Sequence, residues 1–195
     1  MNIFILSLIP KEIAEAMMDK HISKIILEAV QMLCTAKRVV DPDAPENEQL
    51  YKLAHLNHPV TIWCRTTRAN FVWTLDLIDE MHKEWKYRYG HPETKVHKSY
   101  TVAQLLRNHI PDEGAFILPE AGNRITPFAL AMPNEYKSPD GDAVASYRAY
   151  YMSPEKQKIA CWKKLREPPD WYSYSIVTTT DNTVTTTDNT NDNSK

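Results

Sequence analysis

The chain has 195 residues, 43% apolar, 25% charged and 10% aromatic, with 23 basic against 25 acidic side chains. This balance fits one soluble globular domain with a real core, and no run reaches the roughly 18 apolar residues of a membrane span. Four glycines, with no Gly-x-Gly-x-x-Gly or phosphate-loop motif, speak against Rossmann and P-loop chemistry. Cys34, Cys64 and Cys161 lie far apart and are odd in number, so neither a disulfide scaffold nor a structural zinc site is expected, and a reducing compartment is the simplest reading.

Residues 2–7 are a short apolar run, either a single strand or a buried extended arm. The run ends before Pro10 without a basic start or a small-residue cleavage site, so no signal peptide is expected and the protein is expected inside the cell. Pro10 suits a first helical turn, and apolar residues from Ile13 to Leu33 keep helical spacing over most of the circumference, which predicts one long, largely buried helix over 11–37. Residues 41–57 contain Pro42 and Pro45 and read as loop. Pro59 opens a second long helix running to Tyr89, with Gly90 as its stop and Trp63 and Trp73 as core.

Thr101 and Gln104 form a capping-box pattern before a short helix ending near Asn108. Residues 110–139 hold five Pro and two Gly and read as loop with a turn or two of structure. Asp140 or Asp142 caps a helix over 143–152, and Ser153 with Pro154 starts another that runs to about Leu165. From 176 to 195 the chain repeats TTTDNT on both sides of Val184, a composition that predicts a disordered tail. The tail takes three Asp and one Lys with it, leaving residues 1–175 with 22 basic against 22 acidic side chains. The expected fold is therefore mainly α: one helical domain over 1–175, with two long core helices, Pro-containing loops and a short N-terminal extended segment.

Four constellations carry chemistry. On the first helix His21, Lys24, Glu28, Gln31 and Thr35 recur every three or four residues and form one polar row. Because apolar Leu27 occupies the far side, the row is expected to line an internal cleft, with Lys24 as an amine nucleophile and His21 or Glu28 moving protons. The plainer alternative is an i,i+4 Lys24–Glu28 pair on a solvated face. Asp19 lies off the row by helical angle, within reach of it only if the helix start bends. Around the second helix, His55, His58, Arg65, Arg68 and Asn70 cluster. His55-x-x-His58 lacks further ligands at recognisable spacing, so neither a metal nor a cofactor is expected. In the third, aromatic and basic residues alternate from Trp85 through Arg88 to Lys95, His97 and Lys98, a pattern that suits base stacking with phosphate contacts. The fourth runs from Tyr147 and Arg148 through Lys156, Lys163 and Arg166 to Trp171 and Tyr172; its segment 156–166 holds five basic residues and no acid, which suits a phosphate backbone.

The polar first helix, the aromatic second helix, Asn57-His58-Pro59 and the closing Pro-x-Trp-Tyr-x-Tyr of residues 169–174 together resemble the phage-type pyrimidine-dimer DNA glycosylases known as endonuclease V. The resemblance implies a compact helical protein acting on DNA, with an aromatic tail at Trp171 and Tyr172 on the nucleic acid. In that family a terminal amine attacks the sugar and a Glu on the first helix assists. Here Asn2 follows Met1 and Ile22 falls near the Glu position, with Glu28 the nearest acid downstream, so the pair does not transfer residue by residue. A second resemblance, in Asp-Lys-His-x-x-Lys (19–24) and Tyr-Arg-x-Tyr-Tyr (147–151), is to a group of phage and large-DNA-virus proteins and implies a viral source. The function expected from these readings is base excision on a flipped nucleotide, with Lys24 as amine, Glu28 or Asp19 stabilising positive charge and His21 shuttling a proton. The alternatives are a nucleic-acid or nucleotide-binding protein without chemistry, and an enzyme on free nucleotides.

Overall fold

A computed structural model describes residues 2–174; the tail expected over 176–195 lies outside the described residues. Every regular element among them is helical: α1 (Pro10–Ala16), α2 (Asp19–Val40), α3 (Pro59–Cys64), α4 (Arg68–Tyr89), α5 (Lys98–Asn108), α6 (Ala143–Tyr151) and α7 (Pro154–Gln157), joined by loops that hold short 3-10 turns. Residues 2–6 are a buried arm without strand structure, turning at Leu6, whose N–H donates to the Phe4 carbonyl at 3.1 Å. None of the described helices is long and apolar enough to cross a membrane.

α2 packs against α3, α4 and α5, and α1 packs against α4. Surrounded in this way, Ile22, Ile25, Ile26, Ala29, Val30 and Leu33 are all at most 2% exposed. That enclosure is why the apolar residues of this helix cover most of its circumference and do not form a narrow stripe. Trp63 and Trp73 meet edge to face in the core, as expected of them.

The two long helices expected from periodicity are each broken. The first divides at Met17 and Met18, with no glycine or proline there to mark the place. The break is held from outside. The Tyr151 hydroxyl accepts the Met18 N–H at 2.9 Å, Asp19 N–H donates to the Cys161 carbonyl at 2.8 Å, and the Arg88 guanidinium and Trp162 indole take the carbonyls that end α1. Groups orphaned at a helix end need such partners, and here distant segments supply them. The second long helix divides at residues 65–67. Thr67 caps α4 by accepting the Asn70 N–H at 3.1 Å. The freed Arg65 and Thr66 carbonyls accept N–H groups from Ile117 and Leu118.

Asn70 ties this second break together. Its amide donates to the Trp63 carbonyl and the Thr126 hydroxyl, both at 2.8 Å, and its Oδ1 accepts the Thr126 N–H at 3.0 Å. The side chain is fully buried. Asn70→Ala is expected to cost about 2–4 kcal/mol in urea denaturation, because it strands several buried polar groups at once; a loss below about 1 kcal/mol would remove Asn70 from this role.

Three further boundaries differ from expectation. α5 starts at Lys98, ahead of the Thr101–Gln104 pattern, because the His97 imidazole accepts the Ser99 N–H and caps the helix. The helix opened by Ser153 and Pro154 stops at Gln157, because residues 161–163 are drawn away to the α1–α2 junction, where they bond Asp19 and Ala16. The region expected as plain loop over 41–57 contains a 3-10 turn, Pro45–Gln49. Gly90 closes α4 in the left-handed conformation at φ 60°, as its place in the sequence predicts.

Candidate functional site

The polar row of α2 faces the N-terminal arm. Asn2 N–H donates to Glu28 Oε2 at 2.8 Å. Asn2 is itself held by its side-chain N–H to the Ala131 carbonyl at 2.8 Å and by accepting the Tyr147 hydroxyl at 3.3 Å. Two residues on, the Phe4 ring stacks on His21 with centroids 4.8 Å apart and planes 12° apart. The space beside the row is thus occupied by the arm at both points. His21 and Glu28 turn inward, at 4% and 9% exposure, while the Lys24 side chain is 59% exposed and places its ammonium 3.4 Å from Glu28 Oε1. Thr35, at the far end of the row, exchanges hydrogen bonds with the Ala54 backbone.

His21 has surroundings that forbid a charge. Burial comes first, and the nearby Lys156, Lys24 and Lys20 ammonium groups add to it, so that its pKa is pushed down from 6.5 to about 3. The neutral ring accepts the Tyr151 hydroxyl at Nδ1, 2.8 Å away, while that hydroxyl accepts the Met18 N–H. A base this weak does not carry a proton near pH 7, so the proton-shuttle role expected for His21 is corrected to a positioning one: it fixes Phe4 and the arm.

Asp19 does not join the row. It accepts from Arg88 at 3.2 Å, from the Lys163 N–H at 2.8 Å and from the Cys161 thiol, so it secures the start of α2. Arg88, expected on nucleic acid, is completely enclosed: its five N–H groups reach Glu84, Asp19 and the Ala14, Glu15 and Met17 carbonyls. Asn70 and Tyr172 are likewise interior, Tyr172 lying edge-on to Trp162. These three are corrected to structural residues, since a buried side chain cannot meet a phosphate or a base without unfolding its surroundings.

The other candidates lie at or near the surface. Arg65 donates to the Leu56 carbonyl, and Arg68 opens α4. Arg148 donates to the Leu6 carbonyl and stands 4.9 Å over the Trp171 ring, in the wall of a cleft of about 440 Å³ that also contains Glu12, Glu15, Glu167, Asp170 and Arg166, the last paired with Glu15 and Glu84. That acidic wall is poorly suited to a phosphate chain.

A basic face does form around the first turns of α2. Lys20 and Lys24 project from the helix. Tyr89 at the end of α4 donates its hydroxyl to the Asp19 carbonyl at 3.0 Å, and the Lys164 ammonium sits 5.6 Å over the Tyr89 ring. Lys163 is anchored at Asp19 through its backbone. On the other flank, α5 packs against α2 and brings in the turn that bears exposed Lys95 and Lys98; burial lowers the His97 pKa, and the Ser23 backbone raises it only in part. Behind it, His82 is pushed down to about 4, by burial first and then by Lys86 and His97.

Sequence reading did not foresee Phe4 against the row, nor that Tyr150, Tyr151 and Lys156 of the fourth constellation give the row its setting, with the Lys156 ammonium 4.9 Å over the Tyr150 ring and 5.8 Å over Phe4. The only available signal was Tyr-Arg-x-Tyr-Tyr at 147–151, which carries no information about α2. His58 caps α3 through its ring, accepting the Val60 N–H. Among the described residues no group of three His, Cys, Asp or Glu side chains is placed to hold a metal ion. Neither protein-family models, nor curated proteins, nor solved structures give a match to this chain.

Proposed function

We propose that this protein processes DNA by base excision, acting on a nucleotide turned out of its stack at the rim between the arm and α2. The observation that carries the reading is the sharing of Glu28: one oxygen lies 3.4 Å from the Lys24 ammonium, and the other is held by the Asn2 N–H at 2.8 Å. An amine beside an oriented carboxylate, on the edge of a basic face, is the pairing that attack at a sugar carbon requires.

In this reading Lys24, once it has given up a proton, attacks C1′. The glycosidic bond breaks, its electron pair leaves with the base, and the base takes a proton from solvent. Ring opening then breaks the C1′–O4′ bond, O4′ takes one proton from the amine nitrogen, and the resulting iminium between Lys24 and the sugar, whose positive charge Glu28 stabilises, is hydrolysed by water. On an abasic site the amine condenses with the free aldehyde and releases water. Borohydride reduces that iminium to a stable secondary amine, so incubation with abasic-site DNA and borohydride is expected to give a covalent adduct that Lys24→Ala loses and Glu28→Gln diminishes at least tenfold. No adduct, or one unchanged in Lys24→Ala, removes the lyase chemistry.

A second reading, binding without chemistry, is favoured by the 59% exposure of Lys24: an ammonium this open has the solvation of an ordinary surface charge. Steep loss of DNA affinity with salt, with no trapped adduct, supports that reading instead.

A further inference from the structure

We infer that the cleft at the carboxyl end of α4 is a subsite for one unpaired nucleotide, in which Lys86 takes the phosphate, Tyr87 and His91 hold the base, and the Glu93 carboxylate occupies the phosphate position until a ligand displaces it. The inference rests on the nucleic-acid reading above but uses none of the residues assigned to chemistry there. The cleft measures about 510 Å³ and is walled by Lys83, Lys86, Tyr87, Gly90, His91 and Glu93, with His82 behind, a size within the range of small-ligand sites.

Two features prepare Lys86 for an anion. Its side chain is only 16% exposed, and its ammonium is fixed 2.7 Å from the Glu93 carbonyl, so it does not wander into solvent. The same ammonium meets the Glu93 carboxylate at 3.1 Å, but that side chain is 95% exposed. A solvated carboxylate of this kind contributes little, and a phosphate, with more charge and three acceptor oxygens, competes well for the same donor.

The aromatic side is equally set. His91 lies against Trp85, with centroids 4.1 Å apart, and is parallel to Tyr89 within 14°, which fixes the plane of its ring. Tyr87 carries the Arg166 guanidinium at 4.9 Å, yet the residue stays 50% exposed. The end of a helix would ordinarily repel an anion through its bare carbonyls. Here the left-handed turn at Gly90 returns the Gly90 and His91 N–H groups to the Tyr87 and Lys86 carbonyls, at 3.3 and 2.9 Å, and the Lys86 ammonium offsets what remains, Lys83 being paired with Glu80 at 2.6 Å.

Binding is measured by anisotropy of a fluorescein-labelled single-stranded DNA 15-mer, with deoxyadenosine monophosphate as both competitor and direct titrant. Glu93→Gln keeps the shape of an exposed side chain while removing the resident anion, and is expected to tighten binding three- to tenfold, a gain that misfolding cannot produce. Lys86→Met is expected to weaken binding at least fivefold and to reduce the slope of log affinity against log salt by about 0.7; Tyr87→Ala weakens binding at least fivefold with the slope unchanged. Competition by deoxyadenosine monophosphate identifies a free nucleotide as the ligand, and its failure identifies a strand; either supports the subsite provided Glu93→Gln tightens the probe that binds. If the wild type binds the strand and Glu93→Gln leaves the affinity unchanged or lower, the subsite is overturned while the base-excision reading stands. If the variants behave as expected but no adduct is trapped, the chemistry fails alone. No binding of either probe by wild type or Glu93→Gln overturns the subsite outright.

Discussion

Arg88→Met is expected to destabilise the protein by about 3–5 kcal/mol, the loss characteristic of removing one member of a buried charge network. Arg88 has a fully buried side chain, and every N–H of its guanidinium is used: one on Glu84, one on Asp19 and three on the carbonyls that end α1. Removing it strands those carbonyls and leaves the Asp19 and Glu84 carboxylates, both under 10% exposed, short of a partner. Arg166 still grips Glu84 by two hydrogen bonds of 2.8 Å and so limits part of the damage. Lysine is no substitute, because one ammonium cannot span acceptors on α1, α2 and α4 together; Arg88→Lys is expected to remain at least about 2 kcal/mol below wild type. Urea denaturation at pH 7 measures both. If Arg88→Met unfolds within about 1 kcal/mol of the native chain, the network is not what holds α1 and α2 at their angle.

The second large effect is on acid stability. His21 titrates at about 3 in the fold against 6.5 when exposed, because burial, then Lys156, Lys24 and Lys20, disfavour its cation. Between these values the unfolded chain binds a proton that the folded chain refuses, so stability is complete above pH 6.5 and falls as pH drops toward 3. At pH 4 the loss from His21 alone is about 3 kcal/mol. His21→Phe keeps a ring against Phe4, gives up the bond to the Tyr151 hydroxyl and cannot be protonated. Its stability is therefore expected to start lower at pH 7 and to fall by about 3 kcal/mol less than wild type between pH 7 and pH 4. His82, lowered to about 4 by burial and by Lys86 and His97, adds a similar loss to both proteins and drops out of the difference. Parallel curves for the two proteins would mean that His21 protonates freely in the fold.

Much of the fold is readable from local pattern. Pro59 opening a helix, Asp142 capping α6 through the Ala145 N–H, Ser153 capping α7 and Gly90 ending α4 are decisions made within four residues. The candidate site is only half legible in this way. Spacing alone puts His21, Lys24 and Glu28 on one side of α2. It does not say that the Phe4 ring would lie on His21, or that Lys24 would point to water while its two neighbours in the row turn inward. Arg88 misled for the same reason: an arginine among tyrosines at a helix end reads as a surface residue until the end of α1 is brought against it.

Helical content, the positions of most helix starts and the apolar core residues of the long helices were determined by the sequence alone, because capping bonds and 3.6-residue periodicity act between near neighbours along the chain. The two breaks that divide the long helices, the burial of Arg88, the neutrality of His21 and the arm lying over the polar row were decided only by tertiary structure. Each depends on a donor, an acceptor or a low-dielectric wall supplied from a distant segment: residue 151 or 161 for the first break, residue 117 or 126 for the second, residue 4 or 156 for His21. No local pattern encodes such a partner.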